Sequence, residues 1–267
     1  MENITKAIIK SNIEIAKYIK NSLKEDDFTY TKQIGYGGDN SLKIDIFFED
    51  IFIKNLKDFG NIFSEECGFI DNKKDITFII DPLDGSNNFL SNIPYFGTSV
   101  AVKKNGEIIA GFVANMANKT LVYRILDDEV KYFCLENRKE IQKIVHNISK
   151  VAVFERGYKY PNICKNIDDK NIKFRVLGAT ALSLANARDF LFVIFKGDLR
   201  EFDLEAGLFI SKDLYIKKKK ILYLLQNIKN NFQYLKKLLK IFRYNSRLIK
   251  KLGKLYGFNN YGRMYCM

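Results

Sequence analysis

The chain has 267 residues, 47% of them hydrophobic and 14% aromatic, enough for one large domain or two coupled lobes with a full core. Its net charge of +13 suggests a nucleic-acid binder until it is divided: residues 1–210 carry 29 Lys+Arg and 30 Asp+Glu, whereas residues 211–267 carry 15 Lys+Arg against Asp213 alone. The four cysteines show no C-x-x-C pair or framework spacing, and the sequence shows no basic-then-apolar N-terminal signal and no apolar run of spanning length, so a reducing cytoplasm is the simplest expectation.

Ile4, Ile8, Ile9, Ile13, Ala16, Ile19 and Leu23 recur at helical spacing, so an amphipathic helix opens the chain. Residues 35–40, Gly-Tyr-Gly-Gly-Asp-Asn, form a loop; no Gly-Lys-Ser/Thr follows, so it is not a phosphate loop of the nucleotide-binding kind. A second helix is expected from Ser41 to about Phe59, with Asp45 and Glu49 one turn apart on it. Next, Asn61-Ile62-Phe63-Ser64 reads as a strand that delivers Glu65 and Glu66. Neighbours on extended chain point opposite ways, so only one of these acids faces a given site.

The most informative stretch is Ile76–Phe89. Ile76–Ile80 is a β-branched apolar run that reads as a buried strand, expected to stop at Asp81-Pro82 because proline removes a backbone donor. Asp84-Gly85-Ser86 then reads as a turn and helix N-cap, with Asn87 in the first turn. Two carboxylates three residues apart thus lie on a stiff corner. Free amides at the helix start seat an anion, and carboxylates beside them are the hard oxygen ligands that Mg²⁺ prefers. The aspartyl-nucleophile signature D-x-D-G-[ST] does not fit the spacing D-x-x-D-G-S.

Strands are expected at 97–103, 107–115, 120–126 and 129–134, joined by short turns into an antiparallel meander. A strand at 151–155, a short helix at 161–167 and a strand at 173–177 follow. Gly178-Ala179-Thr180 opens a further helix with small residues that permit close approach. Asp203 starts another, in Phe202-Asp203-Leu204-Glu205-Ala206-Gly207. The single His146 excludes a His-rich metal site and is expected on the surface or a loop.

The strings S-E-E-x-G (64–68), D-P-L-D-G-S (81–86), the stretch at 178–180 and F-D-x-E-A-G (202–207), in this order, resemble the inositol monophosphatase family, related to the fructose-1,6-bisphosphatases and bisphosphate nucleotidases. The resemblance covers residues 1–213. It implies a layered αβαβα sandwich of the sugar-phosphatase type, α/β with mixed sheets: an N-terminal lobe over 1–150 with most metal ligands and a second lobe over 151–216 carrying Asp203. It implies Mg²⁺-dependent hydrolysis of a phosphate monoester by activated water, without a phosphoenzyme. Inositol 1-phosphate comes first as substrate, with fructose 1,6-bisphosphate and a 3'(2'),5'-bisphosphate nucleotide as alternatives. Glu65, Asp81, Asp84, Asp203 and the Leu83 carbonyl would hold two or three Mg²⁺ ions. Asp45, Glu65 and Ser86 would act on the water, and Asp84, Gly85, Ser86, Gly178, Ala179 and Thr180 would line phosphate and substrate. Lithium sensitivity and a homodimer are further expectations of the family, as is the loss of turnover, with the fold intact, in Asp84→Asn.

The tail departs from the family. After Lys217–Lys220, residues 221–267 hold no Asp, Glu, Ala, Val, Pro or Thr, and Ile221, Leu224, Leu225 and Ile228 keep helical spacing. Three readings stay open: a basic amphipathic helix for RNA or an anionic membrane surface, which would suit an RNA-polymerase-associated role; a helical ending packed on the body; and an out-of-frame end, since adenine runs that encode lysine let reading frames slip.

Overall fold

The computed structural model describes residues 1–143, 149–198, 200–219 and 222–226. The elements in chain order are α1 (Glu2–Asn21), β1 (Tyr30–Ile34), β2 (Asn40–Leu42), α2 (Lys43–Leu56), β3 (Asn61–Ser64), β4 (Gly68–Ile70), β5 (Ile76–Asp84) and α3 (Ser86–Leu90). There follow β6 (Gly97–Lys104), β7 (Glu107–Asn115), β8 (Thr120–Ile125), β9 (Lys131–Cys134), β10 (Lys139–Ile141), β11 (Val151–Glu155), α4 (Pro161–Asp168) and β12 (Lys173–Arg175). The last are α5 (Thr180–Ala185), β13 (Val193–Lys196), α6 (Glu201–Ile210), β14 (Tyr215–Lys219) and β15 (Leu222–Gln226). The mixed α/β class and mixed sheets are as expected.

Two compact units emerge. The first comprises Met1–Ile144, Gly178–Asn186 and Leu199–Ser211. Its eight-stranded sheet has the order β10-β9-β8-β7-β6-β5-β3-β4, in which β3 and β5 are parallel and the other neighbours antiparallel. Period-2 alternation sorts its central strands onto two faces. Phe78, Ile80, Val100, Val102, Phe112 and Leu121 join a core with Ile8 and Ile15 of α1 and Phe48 and Phe52 of α2. Their neighbours Ile79, Ala101, Val113 and Val122 face the other way, against Ala181 and Leu182 of α5 and Phe202, Ala206 and Ile210 of α6. Burying both faces of the sheet under helices supplies the main apolar gain of the unit. The helix carrying Asp203 therefore belongs with the N-terminal elements, not with a lobe beginning at 151: its apolar stripe is committed to the sheet face behind β5, β6 and β7.

The second unit comprises Val145–Leu177, Ala187–Asp198 and Lys212–Met267. Its sheet has the order β12-β11-β13-β15-β14, parallel between β12, β11 and β13 and antiparallel beyond. Here the helical expectation for the start of the tail is overturned. Residues 222–226 pair with β13 (Val193 opposite Leu225) and with β14 (Tyr215 opposite Gln226). A short apolar run such as Leu222-Tyr223-Leu224-Leu225 fits either period, and the open edge of β13 decides it. Strands thus do follow the Asp203 helix. The rest of the tail and His146 lie outside the described residues.

The central stretch also differs from expectation. Strand β5 runs through Asp81 and Pro82 to Asp84, with an irregular register against β6 between Asp81 (opposite Ser99) and Asp84 (opposite Gly97). Proline is accommodated at that irregularity, where no ladder donor is required. Gly85, not Ser86, precedes the short α3, with φ +90.

Gly111 of β7 lies under α6: a Cβ there would meet the Ala206 carbonyl oxygen at 2.5 Å. Gly111→Ala should therefore lift α6 and lower the unfolding free energy by about 1–3 kcal/mol, the usual cost of overpacking. Urea unfolding of the variant checks this; an unchanged midpoint contradicts the packing described.

Candidate metal and phosphate site

Two carboxylates at the end of β5 meet a third, from α6, in the first unit. Asp81, Asp84 and Asp203 are all buried and each offers one oxygen within 4.8 Å of the others. Each is fixed by backbone amides. Asp81 Oδ1 accepts from Leu83 N at 2.9 Å, which tightens the irregular end of β5. Asp84 accepts from Thr180 N at 2.7 Å and Leu182 N at 2.9 Å, so the first turn of α5 closes on this carboxylate. Asp203, in the first turn of α6, accepts from Arg200 N at 3.3 Å, the capping-box arrangement.

The expected role of residues 178–180 changes in one respect. The amide of Thr180 anchors Asp84 directly, and Gly178 adopts a left-handed φ of +80 that turns the chain into α5. A consequence follows for Asp84→Asn. Both oxygens of Asp84 accept an N–H, so an asparagine must aim its own NH₂ at one of them, at a cost of about 1–3 kcal/mol. That variant would disturb α5 as well as the cluster, contrary to the expectation of an intact fold.

Ser86 donates its hydroxyl to the Leu83 carbonyl at 2.9 Å, placing both groups expected to act together side by side. Gly85 is required here by its positive φ and by close approach: a Cβ would lie 3.0 Å from the Ala179 Cβ and 3.1 Å from the Tyr95 carbonyl oxygen.

Glu65 stands apart from the three-carboxylate cluster. Its Oε1 is 2.7 Å from Nη1 of Arg200, whose Nε lies 3.2 Å from Asp203 Oδ2. Glu66 turns elsewhere and accepts the Ser41 hydroxyl. Asp45 is buried on α2; Oδ2 accepts from Leu42 N at 2.9 Å, while Oδ1 has no hydrogen-bond partner among the described residues. Arg200 was not foreseen from the sequence. A charged residue before a helix reads as solvated, and nothing local reveals that its head group reaches Glu65.

Electrostatically the site holds a surplus of negative charge. Burial pushes Asp45 up to about 8, with Glu66, Glu65 and Glu49 adding to the rise against the Leu42 amide. Burial pushes Glu65 up to about 7, partly offset by Arg200. Asp81 is likewise raised, by burial first and then by Glu65, Asp84 and Asp203. Crowded buried acids with an orphaned oxygen and all-oxygen donors fit a hard divalent cation, which would supply the missing positive charge.

The profile of the inositol monophosphatase family matches residues 1–214. The chain is 32% identical over 186 residues to a fructose-1,6-bisphosphatase of Pyrococcus furiosus, covering 68% of this chain and 70% of that protein. It is 31% identical over 209 residues to a fructose-1,6-bisphosphatase/inositol-1-monophosphatase of Methanocaldococcus jannaschii, covering 75% and 79%. A solved structure described as an inositol monophosphatase–fructose 1,6-bisphosphatase gene product superposes with a TM-score of 0.69 at 26% identity, over 87% of this chain and 98% of that one.

Acids whose folded values are raised favour the native state when protonated. Their contribution is complete below the unfolded value near 3.8–4.5 and is lost as pH rises through the folded values of about 7 and about 8. Without divalent cations, the melting temperature should therefore fall between pH 5 and pH 8. Asp45→Asn should reduce that fall and raise the melting temperature at pH 8 while changing it little at pH 4.5. Thermal melts in chelator across this range test it; a flat or rising profile contradicts the electrostatics described.

Proposed function

Because the chain belongs to the inositol monophosphatase family and is a phosphoric monoester hydrolase, we propose that it is an Mg²⁺-dependent phosphatase acting on inositol 1-phosphate. The observation that carries this reading is the convergence of Asp81, Asp84 and Asp203 within 4.8 Å. Fructose 1,6-bisphosphate is the competing substrate, favoured by the names of the Pyrococcus and Methanocaldococcus relatives. A bisphosphate nucleotide ranks third.

In this reading Asp81, Asp84 and Asp203 hold the cation, with Glu65 and the Leu83 carbonyl completing its oxygen donors. Bound Mg²⁺ supplies Lewis-acid activation of water and neutralises charge that develops on the leaving oxygen. The chain's own residues do the rest. The Ser86 hydroxyl, oriented by its bond to the Leu83 carbonyl, would accept a hydrogen bond from the attacking water and so position it. Asp45 would help to orient that water; its Oδ1 has no hydrogen-bond partner among the described residues. The amides of Gly85 and Ser86 hold phosphate oxygens, stabilising charge as it builds. Gly178 and Ala179 lie beside Gly85, and with Thr180, whose amide holds Asp84, they would bound the substrate on that side.

Asp81→Asn is the cleaner probe, since Leu83 N can still find the asparagine oxygen. It should lower kcat/KM by about 100-fold or more, the scale of the several kcal/mol that Lewis-acid stabilisation supplies. Phosphate release would be measured from all three substrates, with Mg²⁺, with chelator and with added lithium. Release from inositol 1-phosphate that needs Mg²⁺ and fails in Asp81→Asn supports the reading. Faster release from fructose 1,6-bisphosphate moves the substrate assignment, and full activity of Asp81→Asn contradicts the site.

A further inference from the structure

Arg200 is the one cation among the described residues that touches the acids of this site, and it touches more than one thing. Its Nη1 lies 2.7 Å from Glu65 Oε1, 3.0 Å from the Gly37 carbonyl oxygen and 3.0 Å from Asp39 Oδ2. Its Nε lies 3.2 Å from Asp203 Oδ2. One planar head group thus spans α6, the acid after β3 and the loop between β1 and β2. Glu65 and Asp203 are 13% and 6% exposed at their side chains and Arg200 30%, so these two contacts are largely shielded from water, whereas Asp39 is exposed.

The loop is seated on the same acids. Gly37 N donates to Glu65 O at 2.7 Å and Tyr36 N to Glu66 O at 3.0 Å. The Tyr36 ring packs edge-on against Phe63 and Phe202. A Cβ on Gly37 would come within 2.7 Å of both Arg200 Nη1 and Glu65 Cγ, so only glycine lets the loop lie this close.

A guanidinium and a divalent cation compete for the same carboxylates. Both need the lone pairs of Glu65 and Asp203, and their charges repel at such range. A dication, with twice the charge on a smaller radius, would be the stronger competitor for Glu65. We propose that Arg200 is a positioning residue that acts as the site's internal counter-cation: it holds Glu65 and the loop 35–39 in the metal-free chain and yields Glu65 to a divalent cation on binding. This rests on the reading that Asp81, Asp84 and Asp203 accept such a cation. The loop then keeps its bonds to Arg200 through Gly37 O and Asp39 and to the main-chain carbonyls of Glu65 and Glu66, but the Arg200–Glu65 pair that fixes Arg200 beneath it is broken, so metal occupancy and loop order are coupled.

The test compares the wild-type chain, Arg200→Gln and Arg200→Lys, with circular dichroism melts confirming the folded state of each. Mn²⁺ and Mg²⁺ affinities are read by calorimetry, and hydrogen exchange is read on peptides covering 35–40 with and without metal. Arg200→Gln should bind either cation about tenfold more tightly, the equivalent of one charge-assisted contact no longer in competition. Its metal-free loop should exchange at least as fast as that of the metal-loaded wild type, because the bonds to Gly37 O and Asp39 are lost as well. Arg200→Lys, which keeps the charge but loses the fork, should fall between and serves alone if the glutamine variant does not fold. Metal binding by the wild type with unchanged affinity and loop exchange in the folded variants overturns the role of Arg200. A wild-type chain that binds neither cation overturns the metal reading itself.

Discussion

The structure depends on how buried carboxylates are kept together. Asp81, Asp84 and Asp203 are desolvated and within reach of one another, an arrangement that costs free energy unless donors compensate it. The chain provides some of them itself. Backbone amides of Leu83, Thr180, Leu182 and Arg200 each point at a carboxylate oxygen. The Arg200 guanidinium adds one positive charge on the side of Glu65 and Asp203. This compensation is partial and leaves the cluster with a surplus of negative charge.

The fold serves that requirement at several levels. Alternation along β5, β6 and β7 gives each face of the sheet its own helical cover. The α5–α6 cover brings two distant segments, around Thr180 and Asp203, to the end of β5 where the first two aspartates lie. The irregular pairing of β5 with β6 turns Asp81 and Asp84 out of simple ladder geometry. Gly85 then permits a turn with positive φ that leaves the Ser86 hydroxyl on the Leu83 carbonyl. Packing and chemistry are therefore settled by the same residues.

Much of this was legible from residue pattern. The meander from Gly97 to Cys134, the opening helix and the acid-bearing strand ends all follow from local periodicity and turn chemistry. The three aspartates were expected together because the strings that carry them, taken in order, resemble those of the family; pattern alone reads Asp203 as an ordinary helix cap. What escaped was long-range. The continuation of β5 through Pro82 depends on a bulge against β6 that the strand's own residues do not announce. That Asp84 is held by the start of α5 depends on contacts across nearly a hundred positions. Arg200 looks like any charge before a helix until the loop at Gly37 is brought beside it. The start of the tail read as helix because its apolar spacing fits both periods, and only the open edge of β13 selects strand. The division at 151 failed for Asp203 because burial of the α6 stripe, not chain order, decides which unit it joins.

The central claim is that these aspartates form a seat for a divalent cation. Diffraction from crystals grown with Mn²⁺, collected where manganese scatters anomalously, tests it most directly. The account predicts an anomalous peak bounded by the carboxylates of Asp81, Asp84 and Asp203. Manganese bound only elsewhere, or no peak between those three side chains at saturating Mn²⁺, would contradict it.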